Sequence, residues 1–280
     1  MEKTLVFGPE TNIVGILTLP QQKEPRAALP GVIILNAGFI HHVGPYRLHV
    51  DIARDLSEYG FPVLRFDFSG IGDSPMSASG KSDGERMLIE TRAAMDALSR
   101  AGGCASFILI GLCSGADNSH SVAAMDQRVG GMVAIDGYTY PTPFFYLKDY
   151  WPGLINPAKW VKHGMKILKN TFSPTSGAST GPGGGEPKLY EREFPPKEKV
   201  QREIQGFIDR GGKAFYIYSG GMSGYYNYEK QFFHMHKSIS FQGRVSHRYF
   251  KNADHTFTDG ALRLELRDAI KQWIKGNFSQ

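Results

Sequence analysis

The stretch Phe107-Ile108-Leu109-Ile110-Gly111-Leu112-Cys113-Ser114-Gly115-Ala116 decides how this chain is read. An apolar run too short for a helix is followed by Gly-x-Cys-x-Gly, and then by residues 116–125, which read as a helix. Strand, tight turn and helix in that order need a small residue on each side of the centre, because a side chain two residues away would clash across the turn. The central residue is left exposed at the carboxyl end of a sheet, over a helix N-terminus, where a thiol loses its proton more easily. Cys113 is therefore the candidate nucleophile. Ser114 suits the role less, since centring the motif on it would require glycine at Leu112 and Ala116. The bland alternative is a cysteine acting as a small hydrophobe.

Working outward, Thr4–Phe7 and Ile13–Leu19 read as strands joined by a turn, and Gly31–Leu35 and Phe61–Phe66 as buried strands. Ser106–Ile110, Met132–Ile135, Lys213–Tyr218 and Val245–Phe250 complete a set of eight. Between them fall helical patterns over residues 48–59, 83–101, 116–125, 196–210, 227–237 and 261–278. This alternation predicts an α/β fold with a mostly parallel eight-stranded sheet flanked by helices. It breaks once. Residues 137–195 carry no strand signal and run through aromatics and prolines into a Gly-, Ser- and Thr-rich stretch. The expected organisation is a core of residues 1–136 and 196–280, with a cap inserted at 137–195 and a flexible loop at 173–188. The Gly-rich stretch has no Lys-Ser/Thr after a final glycine and no strand just before it, so it is not a phosphate loop.

Composition bounds the function. Of 280 residues, 41% are hydrophobic and 21% charged, the balance of a chain with a packed core. Two cysteines, Cys104 and Cys113, exclude a disulfide scaffold. No apolar run approaches the ~20 residues of a membrane span, and Met1-Glu2-Lys3-Thr4 does not open a signal peptide. A cytoplasmic protein without a membrane span is expected. The formal net charge of +5 is mild and undivided into basic blocks. It permits an anionic ligand without pointing to nucleic acid.

At this point the chain resembles the α/β-hydrolase family over nearly its whole length. Arg65-Phe66-Asp67-Phe68-Ser69-Gly70-Ile71-Gly72-Asp73-Ser74 looks like the family's loop after the fourth strand, and Asn252-Ala253-Asp254-His255-Thr256-Phe257 like its histidine loop after the last. The whole is most similar to cysteine-nucleophile hydrolases of bacterial exopolysaccharide and exosortase clusters. Polyhydroxyalkanoate synthases, alike at the elbow only, use the same motif for acyl transfer. The resemblance implies an α/β-hydrolase fold and His255 as general base. It also implies an oxyanion hole made by the N–H groups of Ser114 and of Phe39, the latter in the loop Asn36-Ala37-Gly38-Phe39. His41 and His42 have no third ligand at recognisable spacing and read as loop or pocket residues rather than metal ligands.

The acid departs from the family. Its usual loop, after the seventh strand, reads Tyr218-Ser219-Gly220-Gly221-Met222-Ser223-Gly224-Tyr225-Tyr226-Asn227 and holds no carboxylate. The fold's second location follows the sixth strand, where Asp136 stands. Asn227 is the alternative orienter, or only a helix cap. Asp254, Asp117 and Asp73 are set aside, the last two as loop ties. The expected chemistry is an acyl-enzyme on Cys113, from an ester or from an acyl thioester presented by coenzyme A or an acyl carrier protein. Hydrolysis, transfer to an acceptor or cyclisation, and non-catalytic binding on a hydrolase scaffold all remain open. No metal or organic cofactor is implied. Tyr138, Tyr140, Met222 and Tyr226 are the expected walls of an apolar or aromatic acyl pocket, though most aromatics of the insertion suit a small core of its own.

Overall fold

A strand without polar side chains must be covered on both faces, and the sheet is built around two of them: β3 (Gly31–Leu35) and β5 (Phe107–Leu112), each buried at every position. In the computed structural model, residues 1–10, 12–21, 29–154 and 194–279 are described. The other strands are β1 (Glu2–Phe7), β2 (Ile13–Thr18), β4 (Val63–Phe66), β6 (Val129–Ile135), β7 (Lys213–Ser219) and β8 (Val245–Phe250). They form one sheet in the order β1-β2-β4-β3-β5-β6-β7-β8. Only the β1–β2 and β2–β4 pairs are antiparallel.

Side chains alternate across the strands and divide the core into two halves. Ile33, Leu35 and Leu109 face α2 (Asp83–Gly102), α3 (Ser114–Met125) and α5 (Lys197–Asp209), meeting Leu98, Val122 and Ile204. Val32, Ile34 and Ile110 face α1 (Leu48–Glu58) and α7 (Gly260–Phe278), meeting Leu56 and Ile270. Each such fully buried aliphatic contributes about 1.5–3 kcal/mol over its exposed state. The helix starts are chemically marked. Ser82 and Glu85 form a capping box on α2, and the Asp259 carboxylate accepts the N–H groups of Ala261 and Leu262 on α7. Among the described residues no helix is long and apolar enough to cross a membrane.

Several element bounds differ from expectation. The strand read as Ser106–Ile110 continues to Leu112, so Cys113 follows it directly. The strand read from Met132 begins at Val129. The helix read over 227–237 shrinks to α6 (Gln231–Met235). Tyr226 is held by stacking on Tyr218 at 4.1 Å and by its hydroxyl's bond to His247 at 2.7 Å, and the Asn227 N–H turns to the Gln231 side chain. Tertiary contacts override the local helical pattern there. Of the insertion, α4 (Pro143–Leu154) is present. Residues 155–193, which include Trp160 and the Gly-rich stretch 173–188, lie outside the described residues.

Candidate active site

The carboxyl ends of β3, β5, β6, β7 and β8 lie side by side; residues 36–39, Cys113, Asp136 and His255 follow β3, β5, β6 and β8, and Ser219 ends β7. At the end of β5 the backbone of Cys113 takes φ 57° and ψ −122°, a conformation that costs a non-glycine residue on the order of 1–3 kcal/mol. Its neighbours explain the two glycines. A Cβ at Gly111 would sit 2.0 Å from the Gly115 carbonyl, and one at Gly115 would sit 2.6 Å from the Asn36 carbonyl oxygen. Cys113 is half-buried at the first turn of α3. Cys104 is instead buried away from the site, its thiol pushed up to about 11 by burial alone. The two cysteines thus sit in opposite chemical environments.

His255 lies between β8 and α7. Its Nδ1 is 2.8 Å from Asp136 Oδ2, and its other nitrogen is left for the hydrogen bond to the Cys113 sulfur. The bond to Asp136, then that to Cys113, hold the imidazole in its charged form against desolvation, raising it to about 10. Asp136 is wholly buried and takes φ 52°. Its carboxylate is fixed from the far side by Ser219, whose N–H donates to Oδ1 at 2.7 Å and whose hydroxyl donates to Oδ2 at 2.7 Å. Ser219 went unnoticed in the sequence. The signal available was its place as the last residue of β7, beside the vacated acid loop. That loop is packed backbone to backbone: a Cβ at Gly221 would lie 2.2 Å from the His255 backbone nitrogen, and one at Gly220 1.9 Å from the Lys251 carbonyl oxygen. No side chain, acidic or other, fits at either position.

The loop 36–39 is tied down at several points. The Gly38 N–H donates to Ser114 Oγ at 2.7 Å. Asn36 Nδ2 donates to the Ile40 carbonyl and to Asp67, each at 2.8 Å, while the Phe68 N–H donates to Asn36 Oδ1. Asp67 is the centre of this knot. It also accepts from the His42 N–H, from His42 Nδ1 at 2.7 Å and from the Asp73 N–H. Burial opposes its charge, but these bonds prevail and lower its pKa. His41 Nε2 pairs with Asp73 at 3.1 Å. The donors of His41, His42, Asp67 and Asp73 lie within 4.8 Å of one another, close enough to share a small cation. Sequence spacing showed no third ligand for the two histidines. The fold supplies two carboxylates, 25 and 32 residues further along. Their mutual hydrogen bonds already account for the arrangement, which joins the loop after β3 to the loop after β4.

The other candidates fall apart from this centre. Tyr226 is fully buried in the aromatic stack of the β7–β8 side and so forms core rather than a pocket wall. Tyr138 and Tyr140 pack edge-on against Phe194, and the Tyr140 hydroxyl donates to the Pro195 carbonyl. Met222 packs against the core from the turn after β7. Asn227 neither caps α6, which begins after Lys230, nor reaches His255. Its side-chain amide donates to the Phe145 carbonyl, and Lys148 donates to its backbone carbonyl. A cavity of about 650 Å³ adjoins the loop 36–39; Gly38, Phe39, Ser114, Phe68, Met87 and Glu90 are among its lining residues.

No protein-family model and no curated protein matches the chain. Solved structures do match in fold. The Pyrococcus furiosus esterase Pf2001 is similar over 99% of this chain and 93% of its own, at 14% identity and a TM-score of 0.60. Est1E of Butyrivibrio proteoclasticus, solved with ferulic acid bound, is similar over 96% of each chain at 14% identity and a TM-score of 0.59. An alpha-beta serine hydrolase homologue from Coxiella burnetii is similar over 97% of this chain and 96% of its own, at 16% identity and a TM-score of 0.55. The chain has the α/β-hydrolase fold.

Proposed function

We propose that the protein is a hydrolase of esters or thioesters that works through an acyl-enzyme on Cys113. The observation that carries this reading is the line from the Cys113 sulfur through His255 to the buried Asp136 carboxylate. A fold alone would not carry it, since the same scaffold serves many activities. The thiolate attacks the substrate carbonyl, and the carbonyl electrons move onto oxygen. The N–H groups of Ser114 and Phe39 hold that oxyanion, with Gly38 pinned on Ser114 Oγ to keep the loop in place. As the carbonyl re-forms, the bond to the leaving alcohol or thiol breaks, and the His255 imidazolium donates the proton the leaving group needs. Neutral His255 then takes a proton from water, and the hydroxide formed attacks the thioester. Collapse releases the carboxylic acid, and the thiolate–imidazolium pair is restored.

An acyl group that is apolar next to its carbonyl fits the walls of the neighbouring cavity, where Phe39, Phe68 and Met87 stand. Presentation by coenzyme A or an acyl carrier protein suits a cysteine enzyme, as does the similarity of the motifs to cysteine hydrolases of exopolysaccharide and exosortase clusters. One observation favours a second reading. A thioester to Cys113 is a better acyl donor than a serine ester, so transfer to an alcohol or amine acceptor, or cyclisation, can replace hydrolysis wherever water is excluded. Hydrolysis of a p-nitrophenyl ester by the wild type and its loss in Cys113→Ala, with Cys104→Ala unaffected, tests the reading. Full turnover in Cys113→Ala overturns it. Product analysis with added alcohols and amines separates hydrolase from transferase.

A further inference from the structure

Resting on that reading, we infer that the acyl arm of the substrate ends in a neutral hydroxyl group, received in the cavity by Ser69, Arg86 and Glu90. The first step is which part of the substrate the cavity holds. Gly38, Phe39 and Ser114 line it, so it meets the site on the oxyanion side. Neither His255 nor its neighbours line it. The leaving group must face His255 to be protonated, so the portion lying away from His255 is the acyl arm.

The second step is what the polar part of the lining recognises. Besides apolar residues that include Ile71 and the exposed Met76, the cavity is lined by polar residues: Ser69, Glu90 and Arg86, which are largely covered, and Asp83, which is exposed. Glu90 and Ser69 are only 4% and 6% exposed. The Glu90 carboxylate accepts the Ser69 N–H at 2.9 Å and the Ser69 hydroxyl proton. Arg86 Nη1 donates to Ser69 Oγ at 3.2 Å, Nη2 donates to Asp83, and the buried Nε–H has no partner. A carboxylate with spare lone pairs and a guanidinium with unspent donors thus flank one hydroxyl.

Three termini can be compared on this floor. An alkyl end would strip water from Glu90 and Arg86 and return no hydrogen bond, which buried polar groups penalise heavily. A carboxylate end would find one guanidinium but two acids, Asp83 and Glu90, lining the same space. A hydroxyl can donate to Glu90 and accept from Arg86 at once, adding no charge.

The test uses three p-nitrophenyl esters of matched length: the octanoate, the 8-hydroxyoctanoate and the mono-ester of octanedioic acid. For the wild type, kcat/KM should be about 10-fold higher for the hydroxy ester than for the octanoate, the ratio of roughly one well-made hydrogen bond to a charged group. The acid-terminated ester should be the poorest of the three. Arg86→Met and Glu90→Gln should each bring the hydroxy and alkyl esters to within about threefold of one another. The wild-type ranking stands without either variant, should one fail to fold. Octanoate turnover equal to or faster than the hydroxy ester, or preference for the acid-terminated one, overturns the inference while leaving the hydrolase reading intact. If none of the three acylates Cys113, both fall.

Discussion

The ends of β6 and β7 lie side by side in the sheet, yet only one carries a carboxylate. At the end of β6, Asp136 is buried, takes a left-handed backbone and reaches His255. At the end of β7, where the resemblance places the acid, Gly220 and Gly221 press against the backbone of the histidine loop. The difference teaches that the third residue of the site is set by space rather than by position in the chain. The β7 end supplies Ser219, whose two hydrogen bonds fix the acid supplied by its neighbour. The β7 end therefore acts as a support for the acid, and the β6 end as its source.

That division of labour can be broken first at the acid. Asp136→Asn should lower kcat about 10–10³-fold with KM little changed, less than the ~10⁴-fold loss in a serine triad because a thiolate forms with less help. His255→Ala should be worse than Asp136→Asn. Equal losses at Asp136 and at an outlying carboxylate such as Asp254 would break the comparison.

Ser219→Ala sharpens it from the support side. The variant keeps the backbone N–H bond to Asp136 and loses only the hydroxyl's. A fall in kcat of about 3–10-fold, at constant KM, matches one hydrogen bond of about 1 kcal/mol acting through the acid. Restoration by Ser219→Thr, measured alongside, separates this from a packing defect.

The raised pKa of His255 also sets a direction for stability. The folded value, about 10, lies above the ordinary imidazole value near 6.5. Stabilisation from the charged ring is therefore complete below about pH 6.5 and is lost as pH rises through about 10. The difference in denaturation midpoint between the wild type and His255→Gln should shrink steadily across that window, and a difference that grows would contradict the ion pair. The smallest effect belongs to Asn227. Asn227→Ala should cost about 1 kcal/mol, the bond from its amide to the Phe145 carbonyl, and leave kcat unchanged.

The sheet was legible in the sequence because its strands are unbroken apolar runs between helical patterns, and runs such as 31–35 allow no other burial. The short α6 was not, because the aromatic stack around Tyr226 outweighs the pattern that predicts a longer helix. In the site, Cys113 announces itself through two glycines whose need is local. The Asp136–His255 bond joins residues 119 apart, a reach that only the strand order provides. Ser219, the carboxylates around His41 and His42, and the meeting of Ser69 with Arg86 and Glu90 lay beyond any spacing rule. Each is assembled from segments that meet only when the sheet closes.

The central claim, that Cys113 carries the acyl group, is tested most directly by intact mass. The protein is mixed with excess p-nitrophenyl ester, quenched in acid within the first turnover, and weighed before and after peptide mapping. The account predicts a single acyl adduct on the peptide bearing Cys113, accumulating in Asp136→Asn as deacylation slows, and absent from Cys113→Ala. An adduct on Ser114 or on another residue, or turnover in Cys113→Ala, would contradict it.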